Sequence, residues 1–199
     1  MAVPDTKKAI KAVVFDCFGV LHIDTKQSLL QSLPPEVAVE LHDIFQQSNY
    51  GLLSRDEYVK AATSLTGQTP EEFNKANTGG YRLNTELIDK IRELKEAQYK
   101  VGLLSNIGRG WINDFFDKHQ LHDLFDVVVL SGEVGMVKPQ PGIYELTAER
   151  LELQPDECVF IDDAPDNCAG ADAVGMRAIH YVSNDQCLSA LDRFLAQAV

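Results

Sequence analysis

Ala12-Val13-Val14-Phe15-Asp16-Cys17-Phe18-Gly19-Val20-Leu21 sets four apolar residues ahead of an aspartate and a glycine-bearing turn. An unbroken apolar, β-branched run of that kind suits a strand buried on both faces, as in a parallel sheet. Similar runs recur at Val101 to Leu104, Val127 to Leu130, Cys158 to Ile161 and Ala178 to Val182. Helical spacing lies between them, in Leu87, Ile88, Ile91 and Leu94, then Ile112, Phe115 and Phe116, then Ile143, Leu146 and Leu151. Strands alternating with helices predict an α/β fold with a doubly wound parallel sheet.

One interval breaks the alternation. Roughly seventy residues separate the first strand from the next helix-strand unit, where a crossover needs about a dozen. The surplus reads as helical: Pro35 to Gln47 carries Val37, Val39, Leu41, Ile44 and Phe45. Ser54-Arg55-Asp56-Glu57 and Thr69-Pro70-Glu71-Glu72 both have the form of capped helix starts. The expected organisation is a core of residues 1–21 and 84–199 with a small helical cap at 22–83, inserted after the first strand.

With 199 residues, 45% of them hydrophobic, the chain has material for one ordinary core. Thirty acidic residues against eighteen basic ones give a net charge of −12, which argues against nucleic acid or an anionic membrane surface as a partner. No apolar run approaches the roughly twenty residues needed to span a bilayer. Met1 to Lys11 is polar and lacks a signal-peptide core, so a cytoplasmic location is expected. Cys17, Cys158, Cys168 and Cys187 lack C-x-x-C spacing and read as reduced thiols.

The polar residues fall at the carboxyl ends of the expected strands: Asp16, then Ser105 and Asn106, then Ser131, then Asp162 and Asp163. In an open parallel sheet those ends line one crevice. Each residue alone reads equally well as the start of a loop, but jointly they suggest a site. Three clustered carboxylates need a cation, and magnesium suits oxygen ligands together with substrate phosphate. Lys138 offers a second positive charge, or by itself a solvated surface lysine, while Ser105 and backbone amides suit phosphate oxygens. A Mg2+ cofactor and a small phosphorylated substrate are therefore expected.

Val14-Phe15-Asp16-Cys17-Phe18-Gly19-Val20-Leu21, Leu104-Ser105-Asn106, Lys138-Pro139-Gln140-Pro141 and Phe160-Ile161-Asp162-Asp163, followed by Asn167 and Gly175, resemble the four ordered motifs of the haloacid dehalogenase superfamily. The helical insert is similar to the caps of one branch, and Tyr50-Gly51-Leu52-Leu53-Ser54 resembles a cap loop found there. The resemblance implies a Rossmann-like core and an aspartyl-phosphate mechanism with Asp16 as nucleophile. It implies magnesium bound by the Asp16 carboxylate, the Phe18 backbone carbonyl and Asp163, with Asp162 as a further or outer ligand. Ser105 and the Asn106 amide would bind the phosphoryl group. Lys138 would neutralise charge and orient Asp16, and Asn167 would lend outer support.

One departure matters. Phosphatases of that family usually carry a second aspartate two residues after the nucleophile, where Phe18 stands here. General acid-base help is worth about 10² to 10⁴ in rate, so its loss slows turnover most for poor leaving groups and least for acyl and aryl phosphates. Dehalogenases of the family carry a tyrosine at that position, and Tyr144 also matches them. A 2-haloacid dehalogenase-like hydrolase is thus one alternative, although Asp162 and Asp163 would repel a substrate carboxylate unless metal were bound. A non-catalytic binding module is another. Cys17 reads as a core residue on the extended strand, and the histidines as structural or surface groups. Arg55 and Tyr50 suit either substrate contact or packing.

Overall fold

The computed structural model describes residues 8–24 and 33–196. The chain runs β1 (Ala12–Phe15), β2 (His22–Asp24), α1 (Pro35–Asn49), α2 (Arg55–Thr66), α3 (Pro70–Thr78), β3 (Tyr81–Leu83), α4 (Thr85–Glu96) and β4 (Lys100–Ser105). It continues through α5 (Lys118–Leu124), β5 (Val127–Leu130), α6 (Ser131–Val134), α7 (Pro141–Arg150), β6 (Cys158–Asp162), α8 (Pro165–Ala173), β7 (Arg177–His180) and α9 (Asn184–Ala196).

Five strands form a parallel sheet in the order β5-β4-β1-β6-β7, with Val13 level with Val101 on one side and Val159 on the other. Alternation along the strands sorts the side chains into two layers. Val13, Phe15, Leu103 and Ile161 pack with Leu87 and Ile91 of α4 and Leu191 of α9. Val14, Leu104 and Phe160 pack with Ile143 and Tyr144 of α7 and Ala171 of α8. Burial on both faces is why β1 has no polar residue until Asp16.

Between β1 and α4 the chain leaves the sheet through β2 and returns through β3. These short strands pair antiparallel, His22 opposite Leu83. The three intervening helices start where the sequence signals them. Ser54 accepts from the Glu57 N–H while Glu57 accepts from the Ser54 N–H, and Thr69 and Glu72 do the same for α3. Each reciprocal cap satisfies two donors that a helix start would otherwise leave open. Tyr58 and Phe73 bury their rings between α2 and α3, 5.6 Å apart.

Several boundaries differ from the sequence reading. The last strand is Arg177–His180 rather than Ala178 to Val182, and its last ladder bond to β6 runs from the Tyr181 N–H to the Asp162 carbonyl at 2.8 Å. Ile112 lies in a single 3-10 turn, Trp111–Asp114, and Phe115 and Phe116 follow it before α5 begins. Cys17 sits in the turn after β1, not on the strand, although it is fully buried. Residues 1–7, most of the polar N-terminal stretch, and 25–32, inside the expected cap, lie outside the described residues. Among the described residues no helix is long and apolar enough to cross a membrane.

Candidate active site

From the central β1 the chain fills one side of the sheet with β4 and β5, then crosses to β6 and β7. The carboxyl end of β1 is thus the switch point, where neighbouring connections diverge and leave a crevice. Asp16 stands there, its N–H bonded to the Ile161 carbonyl at 2.9 Å. The register that sets Phe15 opposite Ile161 brings Asp16 level with Asp162. The loop beyond folds back on itself, with the His22 N–H reaching the Cys17 carbonyl at 2.7 Å. Gly19 has φ +83°, and a Cβ there would run into the Asp163 carboxylate, so backbone and acid approach only because the residue is glycine.

Lys138 is the hub. Its Nζ lies 2.7 Å from Asp16 Oδ1 and 2.6 Å from Asp162 Oδ2, and donates to the Leu104 carbonyl at 3.2 Å. All three charged residues are buried, with Lys138 4% exposed. The lysine main chain is gripped by Asn106, whose Oδ1 accepts from the Lys138 N–H at 2.8 Å while its Nδ2 donates to the Lys138 carbonyl at 3.0 Å. Asp162 accepts at both oxygens, from Lys138, the Ala164 N–H at 2.8 Å and Asn167 Nδ2 at 3.0 and 3.1 Å.

Burial pushes Asp16 up to about 7, with Lys138 pulling it down and Asp162 pushing it further up. Lys138 titrates above its ordinary range: burial opposes this, but Asp16 and Asp162 outweigh it. Asp163 is also raised, by partial burial and then by Asp162. Asp16, Asp162 and Asp163 each offer a carboxylate oxygen within 4.8 Å of the others. Three such groups against one ammonium leave two negative charges uncompensated, so the donor set fits a divalent, oxygen-seeking cation.

The sequence-predicted residues fall into two groups. Asp16, Lys138, Asp162 and Asp163 converge. Ser105 closes β4, one residue beyond the carbonyl that Lys138 holds, and its buried Oγ has no hydrogen-bond partner among the described residues. The Asn106 side chain is committed to Lys138, so only its backbone amide remains for a ligand. Phe18 turns its ring away from the charges to meet Phe115 at 4.7 Å and Tyr81 at 5.4 Å.

Other candidates serve packing. Ser131 Oγ accepts from the Ile107 N–H at 2.9 Å and donates to the Ile107 carbonyl at 3.3 Å. Tyr144 is buried and donates to the Asn167 carbonyl at 2.8 Å. Tyr50 accepts from Gln140 Nε2 at 3.2 Å. Arg55 pairs with Asp114 and lies 4.1 Å over the Trp111 ring. His22 packs on Phe115 and Phe116.

A pocket of about 220 Å³ opens between the inserted helices and the loop after β4, lined by Phe18, Phe45, Tyr58, Asn106, Trp111 and Phe115 among others. Sequence reading missed it, because its aromatic residues are scattered from Phe18 to Phe115 and each reads alone as core.

Fold and site together define a parallel α/β enzyme with its charged centre at the sheet's switch point. Residues 10–175 match the haloacid dehalogenase-like hydrolase family, and the chain belongs to it. It is 29% identical to the sesquiterpene phosphatase astK of Aspergillus oryzae, over 87% of this chain and 91% of that protein. It is 26% identical to the pyrophosphatase PpaX of Bacillus cereus, over 84% of this chain and 81% of that protein. A solved HAD family enzyme from Bacteroides thetaiotaomicron, in complex with magnesium and inorganic phosphate, superposes with a TM-score of 0.75 at 25% identity, covering 88% of this chain and 96% of that one.

Proposed function

We propose that the chain is a magnesium-dependent phosphatase that hydrolyses a small phosphorylated substrate through an aspartyl-phosphate on Asp16. The observation carrying most weight is the cluster of Asp16, Asp162 and Asp163, the first two of them paired with the Lys138 ammonium. The unpartnered Ser105 hydroxyl adds a donor with no internal use. The likeness to phosphatases and to an enzyme holding magnesium and phosphate supports the same reading.

The carboxylates of Asp16 and Asp163 and the Phe18 carbonyl would hold magnesium, which would supply positive charge against the phosphoryl oxygens. Asp162, with both oxygens engaged by protein donors, acts as outer support that fixes Lys138 and Asn167. The Asp16 carboxylate attacks phosphorus and the bond to the leaving oxygen breaks. Water then attacks the phosphorus of the acyl phosphate, releasing inorganic phosphate and restoring Asp16. Lys138 favours the ionised form of Asp16 against the effect of burial and, with the Ser105 hydroxyl, offsets charge on the transferring group. The inserted helices act as a cap over the crevice.

Phosphate release from p-nitrophenyl phosphate tests the reading. It is expected to require magnesium and to vanish in Asp16→Asn; release that persists without metal, or in that variant, overturns it. The aromatic ring of Phe18 favours one competing reading, halide release from a 2-haloacid, since halide departs without a proton. Chloride liberated from 2-chloropropionate without added metal would establish that alternative.

A further inference from the structure

We infer that the leaving group is an uncharged aromatic ring, so that the substrate is an aryl phosphate whose ring enters the pocket between the inserted helices and the core. The inference rests on the phosphatase reading of Asp16 and deepens it. Phe18 and Asn106 belong to the loops that follow β1 and β4, so the pocket adjoins the charged centre.

Six aromatic side chains line it, Phe18, Phe45, Tyr58, Tyr81, Trp111 and Phe115, and no lining residue is charged. The ring centroids of Phe18, Tyr81 and Phe115 lie 4.7 to 5.4 Å apart, in the edge-to-face geometry that another ring extends. Two of the polar lining side chains are already engaged. Asn106 holds Lys138, and Asn77 Nδ2 donates to the Phe73 carbonyl at 2.8 Å. Asn49 Oδ1 is buried without a partner and would accept one hydrogen bond from a ring substituent. A sugar would bring several hydroxyls against a wall made mainly of aromatic rings. A charged leaving group would meet no charged side chain in that lining. At about 220 Å³ the pocket is below the usual range for ligand sites, about 300 to 1,000 Å³, which suits a compact ring system.

The chemistry agrees. No lining residue carries a carboxyl, imidazole or ammonium to protonate a departing oxygen. When Asp16 attacks phosphorus, the electron pair of the breaking bond leaves on oxygen, and a phenoxide bears it far better than an alkoxide. A phenol has a pKa of about 10, whereas bulk water, the guide for an alcohol, lies near 15.7. The phenoxide then takes its proton from water.

The test compares kcat/KM, with magnesium, for acetyl phosphate, phenyl phosphate, 1-naphthyl phosphate and glucose 6-phosphate, in wild type, Asp16→Asn and Phe45→Asp. Acetate leaves without a proton and fills no pocket, so Asp16-dependent turnover of acetyl phosphate reports the phosphatase reading alone. The naphthyl ester is expected to exceed glucose 6-phosphate at least a hundredfold and phenyl phosphate severalfold. Phe45 is 41% exposed, so Phe45→Asp should keep the fold, checked by circular dichroism. It should lower the naphthyl-to-acetyl ratio at least tenfold. Glucose 6-phosphate matching the naphthyl ester, or an unchanged ratio in Phe45→Asp, overturns the inference while acetyl phosphate turnover upholds the phosphatase reading. Acetyl phosphate left intact, or cleaved equally by Asp16→Asn, overturns both.

Discussion

Ser105 and Ser131 stand at the ends of neighbouring strands, both hydroxyls buried, yet among the described residues only Ser131 finds hydrogen-bond partners. The two should therefore respond oppositely to the same substitution. Ser105→Ala removes a hydroxyl buried without a bond, and the fold should keep its stability or gain up to about 1 kcal/mol. Phosphatase activity should fall at least tenfold. Ser131→Ala strips the Ile107 N–H of its partner, while the Ile107 carbonyl keeps the Gly132 N–H at 3.0 Å, and should cost about 1 to 3 kcal/mol with a smaller effect on rate. Urea midpoints and kcat/KM on both variants check the contrast.

His22 should make stability depend on pH. Burial pushes its imidazole down to about 4, and its Nε2 is buried without a partner, against Phe115 and Phe116. Between about 4 and the ordinary value near 6.5, the unfolded chain binds a proton that the folded chain refuses. The contribution is thus complete above pH 6.5 and is lost as pH falls, by at most about 1.4 kcal/mol per unit. His22→Phe keeps the aromatic packing without the proton. The difference in unfolding free energy between the two proteins should shift in the variant's favour from pH 7 to pH 5.

Arg55 and Asp114 clasp the inserted α2 to the core. The guanidinium meets the carboxylate at 2.5 and 3.2 Å while stacked over Trp111, a wall of the pocket. Each side chain is about a third exposed, at 33% and 27%, so the pair should add no more than about 1 kcal/mol to global stability. Its effect should instead be local. Arg55→Met and Asp114→Asn should each loosen α2 in amide hydrogen exchange and raise KM severalfold at nearly constant kcat. The double variant should be no worse than either single one.

Much of the sheet was legible because buried parallel strands leave an unmistakable mark: Val13-Val14-Phe15 and Val159-Phe160-Ile161 have no polar face to confuse them. The capped starts at Ser54 and Thr69 were legible because their partners sit three residues away. What escaped depends on contacts distant along the chain. The bond between Asn106 and Lys138 spans 32 residues and that between Arg55 and Asp114 spans 59, and no local pattern encodes either. The three-residue strands β2 and β3 carry too little periodicity to read. Ser105 and Ser131 look alike in sequence because their difference lies wholly in what surrounds them.

The pairing of His22 with Leu83 places departure and return of the inserted segment side by side, at a doorway one strand pair wide. On the proposed reading of the inserted helices as a cap, the segment between those residues is exchangeable in evolutionary terms. Recombination at the doorway can exchange the ceiling of the crevice without moving Asp16 or Lys138 on its floor. Selectivity and reactivity are thereby free to diversify on separate schedules, and chimaeras joined at these two positions are the natural route to new substrates.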